Sequence, residues 1–188
     1  MKSINNINEF FEKYYDLIKE FAELPDVPED MLVDDSDAEE EWRRWKLIPA
    51  NITENDFAEL ESTMSIVFPK IMKQFYSSYF HLFEAPIGRH SSEEPFEGLE
   101  NAWNPILAKN EYLPFTWDKD GYMIRCIDLK NMPNEEKCAV CEIDHEELFN
   151  LDEAAGRKDI EKHMNLCAEN FIDYLNMCYD EMANTLNK

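Results

Sequence analysis

Residues 112–117 and 122–127 are two β-rich runs held apart by Asp118-Lys119-Asp120-Gly121. Aromatic and β-branched runs on either side of Asp-Gly predict a hairpin. A third short apolar run covers residues 137–143. Helical periodicity lies on both sides of this strand region. On residues 4–24, Ile7, Phe10, Phe11, Tyr14, Leu17, Ile18 and Phe21 recur at three- and four-residue steps. Asn6 suits the N-cap, Glu9 follows three residues on, and Pro25 and Pro28 are the stop. Thr53-Glu54-Asn55-Asp56 reads as a capped helix start, continued by Phe57, Leu60 and Met64. Pro69 opens another helix that carries Ile71, Met72, Phe75, Tyr76 and Tyr79. Residues 84–101, broken by Pro86, Gly88, Pro95 and Gly98, read as an extended loop with room for a short strand. The stripe Ile160, Met164, Cys167, Phe171, Tyr174, Leu175, Cys178, Met182 and Leu186 predicts one long C-terminal helix over 158–186. Strands grouped between helices predict an α+β fold. Its central sheet is antiparallel in type and flanked by helices, with an extra N-terminal helix and a long C-terminal one.

Composition bounds the partners. The chain of 188 residues carries 41 acidic and 18 basic side chains, a formal net charge of -23. Such a surface repels phosphate backbones and anionic lipids, which argues against direct nucleic-acid or membrane binding. It attracts a basic protein. The 12 Phe, 8 Tyr and 4 Trp exclude a disordered chain. Part of the acidity is segregated in residues 26–41, a stretch with few large apolar residues that is expected to be mobile or draped over the surface. Composition changes at Trp42, so the expected division is 1–41, a helix plus acidic linker, and 42–188, the main domain. The N-terminus has no apolar stretch with a small-residue cleavage site, and five cysteines show no disulfide framework. A cytoplasmic protein with free thiols is expected.

The motifs that carry chemistry are incomplete. Four glycines, at 88, 98, 121 and 156, build no phosphate cradle. Cys138 and Cys141, with His145, His163 and Cys167, supply soft zinc ligands. On a strand, however, residues three apart point to opposite faces, so neither a metal nor any other cofactor is expected. Asp118-Lys119-Asp120-Gly121 has its glycine fourth, where a calcium loop needs it sixth. Asp144-His145-Glu146-Glu147 sets carboxylates beside an imidazole, and with Asp118 and Asp120 it is the arrangement an enzyme would have to use. A turn and a polar strand exit explain these residues more simply. Trp45 and Trp117 suit the core, and Trp42 suits the surface.

Three stretches together resemble the SUKH superfamily, which includes bacterial immunity proteins and fungal cell-wall-signalling regulators. The first runs from Trp45-Lys46-Leu47-Ile48-Pro49 through Leu60-Glu61 and Phe68-Pro69 to Tyr79-Phe80-His81. The second is Leu113-Pro114-Phe115-Thr116, the turn at Gly121, and Tyr122 to Asp128. The third is Ala139-Val140-Cys141-Glu142-Ile143-Asp144-His145-Glu146, followed by Asn170-Phe171-Ile172-Asp173-Tyr174-Leu175. Tyr79-Phe80-His81 stands where many members place Asn-Gly, which is closer to the bacterial immunity branch than to the fungal one. The resemblance implies an α+β fold, no catalysis, and binding that neutralises a cognate toxin, often a nuclease. The alternative it leaves is a signalling or scaffold module. Fixed contact residues are not implied. The acidic candidates for contact with a basic toxin are Glu93, Glu94, Glu97 and Glu100 in the loop, Asp118 and Asp120 in the turn, and Asp144, Glu146 and Glu147 at the strand exit.

Overall fold

The computed structural model describes residues 4–33 and 41–187. Helix α1 (Ile7–Ile18) begins where the capping signal stands. The Asn6 side chain accepts from the Glu9 N–H at 3.0 Å, and Glu9 in turn accepts from the Asn5 N–H at 2.9 Å. The helix stops short of residue 24. Glu23–Leu24 (β1) leave it to pair antiparallel with Arg43–Arg44 (β2). The acidic segment that follows is anchored at its head, because Val27 and Met31 are buried, Met31 completely. Its expected mobility at residues 34–40 lies outside the described residues.

Next come β3 (Ile48–Pro49), α2 (Glu54–Met64), α3 (Lys70–Ser78) and β4 (Tyr79–Phe80). Asp56 accepts from both the Thr53 N–H and hydroxyl, at 2.7 and 2.6 Å, so the expected capped start is present. β3 and β4 pair antiparallel. Two short helices follow: α4 (Glu97–Ala102), which replaces the last five residues of the expected loop, and α5 (Pro105–Lys109). Gly98, which reads as a breaker in the sequence, serves close packing. A Cβ there would sit 3.0 Å from the Arg89 carbonyl oxygen. Asn104 caps α5 by accepting from Ile106 N–H at 2.8 Å, and Pro105 occupies its first turn.

The sheet is formed by β5 (Tyr112–Trp117), β6 (Met123–Asp128), β7 (Val140–Asp144) and β8 (Asn165–Ala168), in that order and antiparallel throughout. Between β7 and β8 lie α6 (His145–Phe149) and α7 (Arg157–Ile160). The C-terminal helix α8 (Phe171–Leu186) therefore starts thirteen positions later than residue 158. Ile160, Met164 and Cys167 keep a helical spacing by coincidence, since they belong to α7, the residue before β8, and β8. Asn170 accepts from the Asp173 N–H at 3.0 Å and fixes the true start.

Both faces of the sheet are covered. Along β6 the pleat sends Ile124 and Cys126 to one side and Arg125 and Ile127 to the other. The first side packs with Leu107 of α5, Leu148 of α6 and Ile160 of α7. The second side meets α8, where Phe115 lies edge-on to Phe171 and Tyr174 at 5.7 and 5.5 Å. Arg125 donates to the Tyr174 hydroxyl at 3.1 Å, and that hydroxyl donates to the Pro86 carbonyl at 2.6 Å. The main core continues through α3 to α1. Phe11 stacks on Phe75 at 5.0 Å, and Phe83 sits 5.4 Å from Trp45. Not all of the acid is on the surface for solubility: the Glu135 carboxylate accepts from the Lys70 and Ile71 N–H groups at 2.8 and 2.9 Å, capping α3 from 64 residues away.

His81 lies inside this aromatic core. Its ring is fully buried 4.6 Å from Phe83 and 5.2 Å from Phe11, and neither ring nitrogen has a hydrogen-bond partner among the described residues. Burial, reinforced by the neighbouring His90, pushes its pKa well down. His90 is held at about 4 by burial, against the opposing pull of the Pro95 and Tyr76 carbonyls. Below about pH 6.5 the unfolded chain therefore binds protons that the folded chain refuses. This contribution to stability is complete above that pH and is lost as pH falls, at up to about 1.4 kcal/mol per unit for each histidine.

Two predictions follow from this core. Phe11→Ala lowers unfolding free energy by about 3–5 kcal/mol in urea titration, because α1 contributes to the shared core; a loss below 1 kcal/mol would place α1 outside it. His81→Leu removes two unpaired polar atoms and raises stability by about 1 kcal/mol at pH 7. Its advantage over the parent widens at pH 5, and an unchanged difference between the two pH values would exclude the linkage.

Candidate functional site

The hairpin turn is built by one carboxylate. Asp118 Oδ1 accepts from the Tyr122 and Met123 N–H groups at 2.8 and 2.9 Å. Burial raises its pKa, but these two bonds and Arg125 outweigh it, and the net shift is downward. Gly121 stands at φ +74°, with nothing within 4 Å of where a Cβ would be, so conformation and not space requires glycine there. Asp120 is exposed at the tip.

Strand register brings the β7 exit to the same place. Met123 pairs with Asp144, and the His145 N–H donates to the Tyr122 carbonyl at 3.0 Å. His145 Nδ1 lies 2.9 Å from that same carbonyl. Asp144 caps α6 by accepting from the Glu146 N–H at 2.8 Å. Glu147 pairs with His163 at 3.0 Å, and Glu146 is exposed. Asp118, Asp120, Asp144, Glu146 and Glu147 thus meet at one end of the sheet. An aromatic row runs through them: His145 lies 5.8 Å from Trp117 and 6.2 Å from Tyr122. Tyr122 is 60% exposed and Phe149 89% exposed. Beside the row opens a cleft of about 590 Å³ walled by Trp103, Trp117, Ile124, His145, Leu148 and Phe149, with Asn104, Glu146 and Asn150 as its polar part. Trp117, expected in the core, is half-buried and lines this cleft. Its indole N–H donates to the Asn101 carbonyl at 3.2 Å.

The acidic loop lies elsewhere and divides. Glu93, Glu94 and Glu97 line a cleft of about 390 Å³ with Asp26, but Arg43 and Arg89 line it too. Arg89 pairs with Glu84 at 3.0 Å. Glu100 borders a separate groove with Asp56, Glu59 and Phe96. The nine acidic candidates therefore form three surfaces, and the one at the hairpin end combines carboxylates with exposed aromatics. Sequence reasoning listed the acids and missed Trp103, Trp117 and Phe149. The signal for Phe149 was a large apolar residue next to Asn150 in a strand exit otherwise rich in acid.

The soft metal ligands do not converge. His145 is committed to Tyr122 and His163 to Glu147. Burial pushes the Cys141 and Cys167 thiols up to about 11 and about 12. Among the described residues no group of three or more His, Cys, Asp or Glu is placed to hold a metal. In the same residues no helix is long and apolar enough to cross a membrane.

The model of the SMI1 / KNR4 family (SUKH-1) matches residues 51–177. The chain belongs to the SUKH-1 family. The matched span includes the whole hairpin end and its cleft, and it stops within α8. Helix α1 lies before it and shares the core described above. No curated protein matches the chain as a relative. The family supports a general immunity-type or SMI1-family role.

Asp118 and Asp120 separate structure from surface. Asp118→Ala loses two turn bonds and costs about 1–3 kcal/mol, whereas Asp120→Ala stays within about 0.5 kcal/mol. Equal losses in denaturant titration would show that the tip is not held by Asp118.

Proposed function

We propose that this SUKH-1 protein is a non-catalytic immunity protein that binds and neutralises a basic bacterial toxin domain in the cytoplasm. The observation that carries the reading is the set of five carboxylates gathered around exposed aromatic side chains at the hairpin end. Carboxylates steer a basic partner and set its register, while aromatic anchors supply the binding energy at the centre of an interface. Nuclease toxins suit this surface, since they need basic faces to hold nucleic acid and an acidic binder covers the same face. The carboxyl groups in the enzyme-like set also have other work: Asp118 holds the turn and Asp144 caps a helix.

Of the three acidic surfaces, the hairpin end is the proposed contact. The loop cleft intersperses Arg43 and Arg89 among Glu93, Glu94 and Glu97, which weakens its field toward a cation. Co-expression with the toxin-like neighbour gene is expected to protect cells, and full toxicity despite soluble expression would refute the reading. Charge reversal at Asp120, Glu146 and Glu147 together is expected to slow toxin association about tenfold or more at low salt and to flatten its salt dependence. The same reversal at Glu93 and Glu94 changes it little. Recovery of several unrelated proteins and no toxin in a pull-down would favour the alternative, a scaffold module of the fungal-regulator type.

A further inference from the structure

We propose that the cleft between Trp103 and Trp117 is an arginine pocket, taking a guanidinium side chain from a basic segment of the partner. The proposal rests on the binding reading above and names the group it recognises. The walls are aromatic and aliphatic, with Ile124 and Leu148 at the base and Phe149 projecting beside the opening. An arginine stem packs on aliphatic walls, and its planar head stacks on indole or phenyl faces. The charged group in the wall is Glu146, a carboxylate that offers two acceptor oxygens to a guanidinium. Asn150 adds a side-chain carbonyl acceptor, while the Asn104 carbonyl is committed to capping α5. Asp118, Asp144 and Glu147 are next in sequence to the wall residues Trp117, His145 and Leu148.

Among the described residues no lysine or arginine lines the pocket. Lys119, on the turn, is directed to Glu181 at 3.5 Å. Lys109, at the end of α5, is bonded to the Glu153 carbonyl oxygen. The pocket is also held in shape before binding, because Trp117 is fixed by its bond to Asn101 and its edge contact with His145. An apolar slot with a carboxylate in its wall complements a side chain with an apolar stem and a flat cationic end. A purely apolar anchor would leave Glu146 without a counter-charge. Lysine would satisfy the charge but not the flat stacking faces.

The test uses the full chain and three short capped peptides that differ only in one repeated residue: arginine, lysine or citrulline, the neutral shape-mimic of arginine. Tryptophan fluorescence and the indole N–H signals of Trp103 and Trp117 report occupancy, and calorimetry reports affinity. The arginine peptide is expected to move both indole signals and to bind about fivefold or more tighter than the lysine peptide. The citrulline peptide is expected to lose most of the affinity. Phe149→Ala and Glu146→Gln, both at exposed positions, each weaken arginine binding about tenfold. Glu93→Gln and Glu94→Gln change it less than twofold. Equal binding of arginine and lysine peptides, unmoved indole signals, or indifference to Phe149→Ala would overturn the pocket. Arginine binding without protection in co-expression would remove the toxin reading alone. Protection and toxin affinity that both survive Phe149→Ala and Glu146→Gln would remove the pocket alone.

Discussion

The pairing of β6 with β7 sets the position of nearly everything else. With Met123 opposite Asp144, the hairpin turn and the start of α6 fall at one end of the sheet. A slip of one residue would send Ile124 and Cys126 to the α8 side and Arg125 into the apolar cluster under α5, α6 and α7. Arg125 is therefore a register marker as well as a polar contact. Its bond to Tyr174 and its pairing with Glu142 at 3.4 Å exist only in the observed register. The same register carries His145 to the Tyr122 carbonyl, beside the hairpin turn that Asp118 holds, which is how a surface of acids and aromatics is assembled from two separate loops.

Burial on both faces explains why this end of the sheet is available for binding. α8, α3 and α1 cover one face, and α5, α6 and α7 cover the other. Helix α7 is tied down by Arg157, which pairs with Asp128 at 2.5 Å, bonds the Asn110 carbonyl at 3.0 Å and lies 4.4 Å over the Tyr112 ring. Side chains that point along the strand ends, beyond these layers, are the ones left to solvent. Trp117 and Tyr122 are at that boundary, at the last residue of β5 and the residue before β6.

The parts of this arrangement that were legible in the sequence are those with local causes. The hairpin has its Asp-Gly turn, α1 its Asn6 cap and α2 its Asp56 partner, and each was placed from neighbours within a few residues. The family was legible for the same reason, since its stretches are the hairpin, the next strand and the helix pair before them. What failed depends on distant partners. Residues 158–168 mimic a helix in spacing, but β8 forms because β7 presents an open edge to Asn165, Leu166 and Ala168. Residues 97–101 read as loop because of Gly98 yet form most of α4, and only the close approach to Arg89 shows why a glycine stands there. The acids of the site were readable as a charge pattern. The cleft was not, because Trp103, Trp117 and Phe149 come from three segments that only the fold brings together.

The carboxylates at the hairpin end divide into two kinds. Asp118 and Asp144 are bound by backbone N–H groups of their own turns, so the chain cannot exchange them without loosening the frame. Asp120 and Glu146 carry no such duty, and Phe149 stands almost wholly in water. Residues that hold the frame and residues free to contact a partner are thus different ones on one small surface. If this end is the contact proposed above, a lineage confronted with an altered partner can revise the second group freely, whereas a change in the first must survive a stability filter before its effect on binding is ever exposed to selection.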